Sequence, residues 1–131
     1  SDDGYHWNDF KTFQEARQPW ELVHIGNCGS PIETPEGWLV ITHGTGPMRE
    51  YSIGAILLDL DEPTKILKGL DYPLISANAE ERDGYVPNVV YSCGSLIHNE
   101  TLFIPYGFSD NCTGVATVNV PELLDSMVHT K

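Results

Sequence analysis

The sequence predicts an all-β domain of about eight short strands followed by a short C-terminal helix. Runs of strand-forming residues alternate with turn residues, and strand pairs recur at a separation of roughly 50 residues. Two of the strands, at residues 38–42 and 51–60, are apolar on both faces. Short, regularly spaced strands are typical of a sandwich, a barrel or a propeller. Strands that are apolar on both faces favour the propeller, because each of its blades is packed between neighbours.

The first part of the chain supplies the strands that are best defined. Residues 20–25 (WELVHI) alternate between apolar and polar side chains, and residues 30–34 form a second short strand. Pro35-Glu36-Gly37 predicts a tight turn, since proline presets φ and glycine supplies flexibility. The two apolar strands at residues 38–42 and 51–60 follow, and we expect them to pair with each other.

The second part of the chain places further strands between polar connections. Residues 64–84 contain only short strand-like pieces. The sequence predicts a helical turn at residues 78–82, strands at 86–98, 101–106 and 114–120, and a terminal helix at 121–129. Asn99-Glu100 is a turn between two strands that are expected to pair through residues 89–97 and 101–106. The helix begins at Pro121, whose fixed φ suits the first helical position.

The chain opens on a turn signal that no strand precedes. Asp3-Gly4 is a dipeptide that favours hairpins, because glycine takes positive φ without steric cost. A hairpin needs a strand on each side of its turn, and here the chain begins inside the turn. We therefore expect the chain to be a fragment of something longer.

The charge and composition argue against several classes of partner. The 131 residues include 19 acidic and 7 basic ones, which gives a net charge of −12. Nucleic acid requires lysine and arginine, and an anionic membrane is equally disfavoured, so neither is expected as a partner. No apolar run approaches the roughly 18 residues of a membrane span. With no signal peptide and three cysteines that lack CxxC spacing, we expect a cytoplasmic protein with free thiols.

His43 is the first candidate for ligand binding. It ends the strand at residues 38–42 and opens Gly44-Thr45-Gly46, where an imidazole and loop N–H groups suit an anion or a sugar hydroxyl. A histidine that only caps the strand is the alternative. Tyr51 follows the loop and can direct its hydroxyl towards His43, although an ordinary strand tyrosine fits as well. Arg49 is either a cation for an anionic ligand or a solvated loop charge.

Asp110 is the second candidate. It lies just after a strand, where a carboxylate suits a pair of sugar hydroxyls, and a turn-forming aspartate is the alternative. The five histidines and three cysteines show neither HxxxH nor CxxC spacing, so no metal site is predicted. The chain has many acidic residues, and the pattern alone singles out no catalytic one.

Three separated blocks of the sequence carry a family resemblance. They read GNCGSPIETPEGWLVITHGTGPMREYSIGAILLDLDEPTKIL, GYVPNVVYSCGSLIHNETLFIPYGFSD and ATVNVPELL. Together they closely resemble glycoside hydrolase family 130, and in particular its mannosylglucose phosphorylase branch. The resemblance extends over most of the chain, and the blocks keep the order that they have in the family.

The resemblance implies a five-bladed β-propeller, of which residues 1–131 are the C-terminal portion of the single domain, about two to three blades. It implies an inverting enzyme that converts 4-O-β-D-mannosyl-D-glucose and phosphate into α-D-mannose 1-phosphate and D-glucose. The family's general-acid aspartate and most of its phosphate-binding arginines and lysines belong to the N-terminal blades, which are absent here. We therefore expect no catalytic residue in this chain and no activity from the chain alone.

The resemblance also implies roles for single residues. His43 and Tyr51 match family residues beside the phosphate, and Asp110 matches the carboxylate that holds the mannosyl unit. Glu50 departs from the family, in which a second basic residue is common at this position. Phosphate is a co-substrate, and no cofactor is implied. The expected partners are a mannoside oligosaccharide, phosphate, the N-terminal blades and further copies of the chain in a homo-oligomer.

Two alternative functions remain open. A member of the same family can hydrolyse β-mannosides with water in place of phosphate. A half-propeller without catalytic activity can instead assemble with itself or bind a partner, since two isolated blades leave sheet faces exposed.

Overall fold

Two antiparallel sheets and one short helix share a single large hydrophobic core in the computed structural model, which describes residues 1–8 and 10–130. The first sheet contains β1 (His24–Asn27), β2 (Ile32–Thr34), β3 (Gly37–Thr45), β4 (Tyr51–Leu58), β5 (Ile66–Gly69) and β6 (Ile75–Ser76). The second contains β7 (Val90–Tyr91), β8 (Leu96–His98), β9 (Thr101–Phe108) and β10 (Cys112–Asn119). The chain then forms α1 (Val120–Ser126) and β11 (Val128–His129), which joins the first sheet. The architecture is therefore mostly β with one short helix.

The first sheet is a meander around the β3–β4 hairpin. β3 and β4 pair along their whole length, from Trp38 opposite Leu58 to Thr45 opposite Tyr51. The free edge of β3 is covered by β1 at one end and β2 at the other. The free edge of β4 is covered in the same way by β6 and β5, and β11 pairs beyond β5. The predicted pairing of residues 38–42 with 51–60 is confirmed.

Both faces of this hairpin are buried, as the sequence predicts. On one face, Leu39 and Ile53 pack into the main core together with Val90, Leu102 and Leu124 of the second sheet and the helix. On the other face, a smaller cluster is formed by Val40, Ile56 and Leu58, with Trp38 and Ile66 against it. Residues of one strand alternate between faces, so a strand that is apolar throughout contributes to both clusters.

The second sheet is built around β9. β10 pairs with the full length of β9, and β7 and β8 pair with the other edge, which confirms the predicted pairing of residues 89–97 with 101–106. Asn99 and Glu100 form the two-residue turn between β8 and β9, and both have positive φ, at 49° and 60°. Two successive left-handed residues match the right-handed twist of a hairpin. The predicted turn at Asn99-Glu100 is confirmed.

The predicted strand at residues 86–98 is wrong as a single element. β7 and β8 are separate, and the hydroxyl of Ser92 between them, which has one proton, lies nearest the carbonyl oxygen of Pro105. Pro105 has no N–H to offer a neighbouring strand, so the ladder is interrupted beside it. The side chain of Ser92, 2.7 Å from the carbonyl oxygen of Pro105, satisfies this acceptor where no described strand pairs with that edge of β9.

Two other boundaries differ from the prediction. Residues 20–22 are not part of a strand, because Pro19–Glu21 forms a 3₁₀ turn and the carboxylate of Glu21 accepts from the backbone N–H groups of Arg17 and Gln18. The terminal helix starts at Val120, one residue before the predicted Pro121, with Asn119 accepting from the N–H of Glu122, and it ends at Ser126. Met127 is extended and leads into β11. Within the described residues, no helix has the length and apolarity needed to cross a membrane.

Candidate functional site

His43 lies within β3 and not at its end. Gly44 and Thr45 continue the ladder with β4, and His43 pairs with Gly26 on one side and Ile53 on the other. The prediction that His43 ends a strand and opens a glycine-rich loop is therefore wrong. The strand holds the histidine backbone on both edges, which fixes the position from which its side chain projects.

Gly44, which suggested a ligand-binding loop, and Gly54 on the neighbouring strand make room for Trp20. A β-carbon on Gly44 would stand 2.6 Å from Cε3 of the indole, and a β-carbon on Gly54 would stand 2.3 Å from Cη2. Real β-carbons do not approach other atoms so closely, so the indole occupies the space of two absent side chains. Glycine at residues 44 and 54 therefore lets Trp20 pack on the outer face of the sheet, opposite the face that carries His43.

His43 belongs to a group of four rings, His24, His43, Tyr51 and Tyr91, which we term the His43 cluster. The ring centroid of His43 lies 5.5 Å from that of His24, 6.5 Å from that of Tyr51 and 5.2 Å from that of Tyr91. Gly26 leaves the space for the imidazole, since a β-carbon there would stand 2.7 Å from its Cε1 atom. The structure thus brings His43 and Tyr51 together, as the sequence suggests, with nearly parallel rings.

The surroundings of His43 keep its ring neutral. Burial lowers the pKa of His43, the nearby His24 lowers it further, and the carbonyl of Asn27 acts in the opposite direction. A neutral imidazole carries one N–H donor and one acceptor nitrogen. His43 can therefore donate one hydrogen bond to a ligand at neutral pH without bringing a full positive charge.

Cys28 contacts the other edge of the same ring. Its Sγ atom lies 3.7 Å from Nδ1 of His43, and the residue is 2% exposed. Burial raises the pKa of the Cys28 thiol to about 11. The cysteine therefore faces His43 as a thiol with its proton in place, and not as a thiolate.

The sequence patterns did not predict three residues of this site. His24 and Tyr91 complete the His43 cluster, and Thr45 lies on the same face of β3, two residues beyond His43. Thr45 is buried, and none of the described residues hydrogen-bonds its hydroxyl. The period of a strand identifies Thr45 as a neighbour of His43. The strand period does not identify His24 or Tyr91. The register between β1 and β3 brings His24 near His43, and the contact between the two sheets brings Tyr91 near it.

Asp110 lies on a separate hairpin at the same end of the sheets. The backbone N–H of Tyr51 donates to the carbonyl of Asn88 at 2.9 Å, and that of Ser109 donates to the carbonyl of Val89 at 3.0 Å. The segment at residues 88–89 therefore connects the start of β4 with the turn between β9 and β10. Asp110 is exposed in that turn, with a φ of 51°. The turn-forming alternative thus describes its backbone correctly, and no side chain among residues 1–8 and 10–130 hydrogen-bonds its carboxylate.

The helical turn predicted at residues 78–82 is present as Glu80–Arg82, and it supports the Asp110 turn. The hydroxyl of Ser109 donates to the carbonyl of Glu81, and the hydroxyl of Tyr106 donates to the Glu81 carboxylate at 2.7 Å. This bond raises the pKa of Tyr106. Arg49 is exposed beside this region and also has positive φ.

Comparisons with known proteins agree with this architecture. A family model described as β-1,4-mannooligosaccharide phosphorylase matches residues 1–129. A 1,2-β-oligomannan phosphorylase of Thermoanaerobacter sp. (strain X514) is 35% identical over 94% of the chain and 42% of its own length. A 4-O-β-D-mannosyl-D-glucose phosphorylase of Bacteroides fragilis is 34% identical over 82% of the chain and 29% of its own length.

A solved structure gives the same result for the fold. The β-1,2-mannobiose phosphorylase of Listeria innocua, in complex with β-1,2-mannobiose, superposes with a TM-score of 0.77 and 33% identity. The match covers 82% of the chain and 31% of that protein, so the chain spans less than half the length of each of these relatives. The family resemblance of the sequence blocks is confirmed. The chain belongs to glycoside hydrolase family 130, a family of mannoside phosphorylases.

Proposed function

We propose that this chain is part of a β-mannoside phosphorylase that converts 4-O-β-D-mannosyl-D-glucose and phosphate into α-D-mannose 1-phosphate and D-glucose. Family membership and the phosphorylase names of its relatives support the reaction class. Because those relatives act on several mannoside linkages, the choice of mannosylglucose rests on the resemblance of the sequence blocks.

The proposal extends to the architecture. Residues 1–131 supply about two to three C-terminal blades of a five-bladed propeller, and the remaining blades come from outside the chain. The outer edge of β10 supports this, since no described strand pairs with it, and its eight residues carry no charge. Such an edge presents free N–H and C=O groups to another strand. We further propose a cytoplasmic homo-oligomer that needs no cofactor beyond phosphate as co-substrate.

The observation that carries the proposal is the His43 cluster. A fixed imidazole with one N–H donor lies beside the ring of Tyr51, on a sheet whose backbone holds both. Phosphate oxygens are strong acceptors, and several converging donors are needed to bind them. His43 and Tyr51 supply part of this donor set. Since the chain has a net charge of −12, the cations that neutralise phosphate come from the other blades.

Asp110 binds the mannosyl unit in this proposal. Its exposed carboxylate stands on a turn that is held by Ser109 and the segment around Glu81, so it offers two acceptor oxygens from a braced position. A phosphate oxygen then bonds to the anomeric carbon as the bond to the glucose oxygen breaks, which inverts the configuration. The departing glucose takes its proton from an acid outside this chain.

Binding of phosphate is tested on the 131-residue chain itself. Inorganic phosphate is titrated into the protein while the histidine ring signals are followed by NMR. We expect the His43 signals to shift and the pKa of His43 to rise, since a bound anion stabilises the protonated ring. Signals of His98, an exposed residue of β8 at the opposite end of the sheets, serve as the internal control. Equal responses at both rings would contradict a site at His43.

The activity is tested in a chimera. The matching C-terminal part of the Bacteroides fragilis mannosylglucose phosphorylase is replaced by this chain, and formation of α-D-mannose 1-phosphate is measured. We expect His43→Gln to lower kcat/KM for phosphate roughly 10- to 100-fold, the equivalent of one hydrogen bond to a charged group. His98→Gln is the matched control. If the chimera released free mannose at the same rate without phosphate, the enzyme would be a hydrolase. The 131-residue chain alone is expected to show no turnover.

A further inference from the structure

The contact between Cys28 and His43 gives the ring a preferred side for its proton. Sγ of Cys28 lies 3.7 Å from Nδ1, within the range of a sulfur hydrogen bond. The ring cannot turn away freely, because it fills the space above Gly26 and lies against Tyr91. Nδ1 therefore faces the sulfur in a packed environment.

The sulfur is suited to donate in this contact. Burial keeps the proton of Cys28 on the sulfur, so the sulfur carries an S–H group. A thiol is a weak donor and a weak acceptor. Nδ1 of His43 lies within reach of the S–H of Cys28.

We propose that Cys28 is a positioning residue for His43: its S–H donates to Nδ1 and holds the neutral imidazole as the tautomer with its proton on Nε2. A ring in this tautomer presents Nε2–H as its only N–H donor. Delivery of that donor to phosphate rests on the proposed function, whereas the tautomer can be measured without phosphate. In the opposite tautomer, Nδ1–H would donate to the sulfur and Nε2 would repel an anion.

The tautomer is measured directly on the 131-residue chain labelled with ¹⁵N-histidine. Two-bond ¹H–¹⁵N correlation spectra at about pH 8, well above the ordinary histidine pKa, distinguish protonated from unprotonated ring nitrogens. The His43 signals are assigned by their loss in His43→Gln. We expect an unprotonated Nδ1 and a protonated Nε2. A protonated Nδ1 in the native chain overturns the proposal, and this result needs no cysteine variant.

Two substitutions of Cys28 separate positioning from simple packing. Cys28→Ala removes the donor, and we expect the His43 signals to move towards a mixture of both tautomers. Cys28→Ser restores an O–H donor of similar size, and we expect it to restore the native tautomer. Cys112→Ala, at an exposed cysteine, is the matched control and leaves the His43 signals in place. A folded Cys28→Ala chain that keeps the native tautomer overturns the proposal.

A phosphate titration keeps this proposal distinct from the proposed function. If His43 has the Nε2–H tautomer but its signals ignore inorganic phosphate, the positioning by Cys28 stands and the phosphate site fails. If the signals respond to phosphate while Nδ1 carries the proton, the phosphate site stands and the role of Cys28 is overturned. The two readouts come from the same labelled sample.

Discussion

The indole of Trp20 lies so close to Gly54 that a β-carbon at residue 54 would stand 2.3 Å from its Cη2 atom. Gly44, on the neighbouring strand, is equally close to the same ring. Trp20 belongs to the 3₁₀ turn that precedes β1, so this turn is anchored on the outer face of the β3–β4 hairpin. Gly44 and Gly54 are therefore structural partners of one tryptophan.

Gly54→Ala is expected to destabilise the chain by about 1–3 kcal/mol, the usual cost of an overpacked site. The matched control is Gly94→Ala, since a β-carbon on Gly94 would meet no atom within 4 Å. Urea unfolding measures both. In a double-mutant cycle, Trp20→Ala should remove most of the cost of Gly54→Ala, because the two residues are in contact. Additive effects of the two substitutions would contradict the contact.

Tyr106→Phe is expected to lower the free energy of unfolding by about 0.5–1.5 kcal/mol, because it removes the hydrogen bond to Glu81. The bond is partly exposed, which favours the lower end of this range. It raises the pKa of Tyr106, so its contribution is complete below about pH 10, the ordinary tyrosine pKa, and is lost as the pH rises through the higher folded value. Urea unfolding across this range, with Tyr85→Phe as an exposed control, measures it. If the native chain and Tyr106→Phe still differ in unfolding free energy above the folded pKa of Tyr106, the hydrogen bond to Glu81 is not the cause of the difference.

The lowered pKa of His43 makes stability fall in mild acid. The unfolded chain takes up a proton near pH 6.5, the ordinary value, while the folded chain resists it until the lower folded pKa is reached. The loss of folding stability therefore grows as the pH drops from about 6.5 towards the folded pKa of His43, and it is absent well above pH 6.5. His43→Gln should flatten the stability profile in this window relative to the native chain. Parallel profiles of the two proteins would show that His43 titrates normally.

Glu100→Gly is expected to stabilise the turn between β8 and β9 by about 0.5–1 kcal/mol. Glu100 has a φ of 60°, and a left-handed backbone is costly for any residue with a β-carbon. Asn-Gly is the preferred pair for this two-residue turn, although glycine also gains freedom in the unfolded chain. Urea unfolding measures the gain, and Thr101→Gly in β9 is the matched control, for which we expect a loss. Destabilisation by both substitutions would mean that the left-handed strain at Glu100 is small.

The sequence predicts those parts of the fold that depend on neighbouring residues. The two-sided apolar strands, the Asn99-Glu100 turn and the start of the helix near Pro121 all follow from local pattern. The break at Ser92 does not, because it depends on Pro105 of another strand. His24 and Tyr91 were missed for the same reason, since contacts between strands and sheets bring them to His43.

The return of β11 to β5 has a consequence for the order of folding. β1 to β6 form between segments that are close along the chain, and such local contacts form early. β11 joins β5 from the far end of the sequence, by way of the second sheet and the helix. We therefore expect this pairing to form after the two sheets have docked, and the C-terminal strand to govern how fast the native state opens more than how fast it is reached.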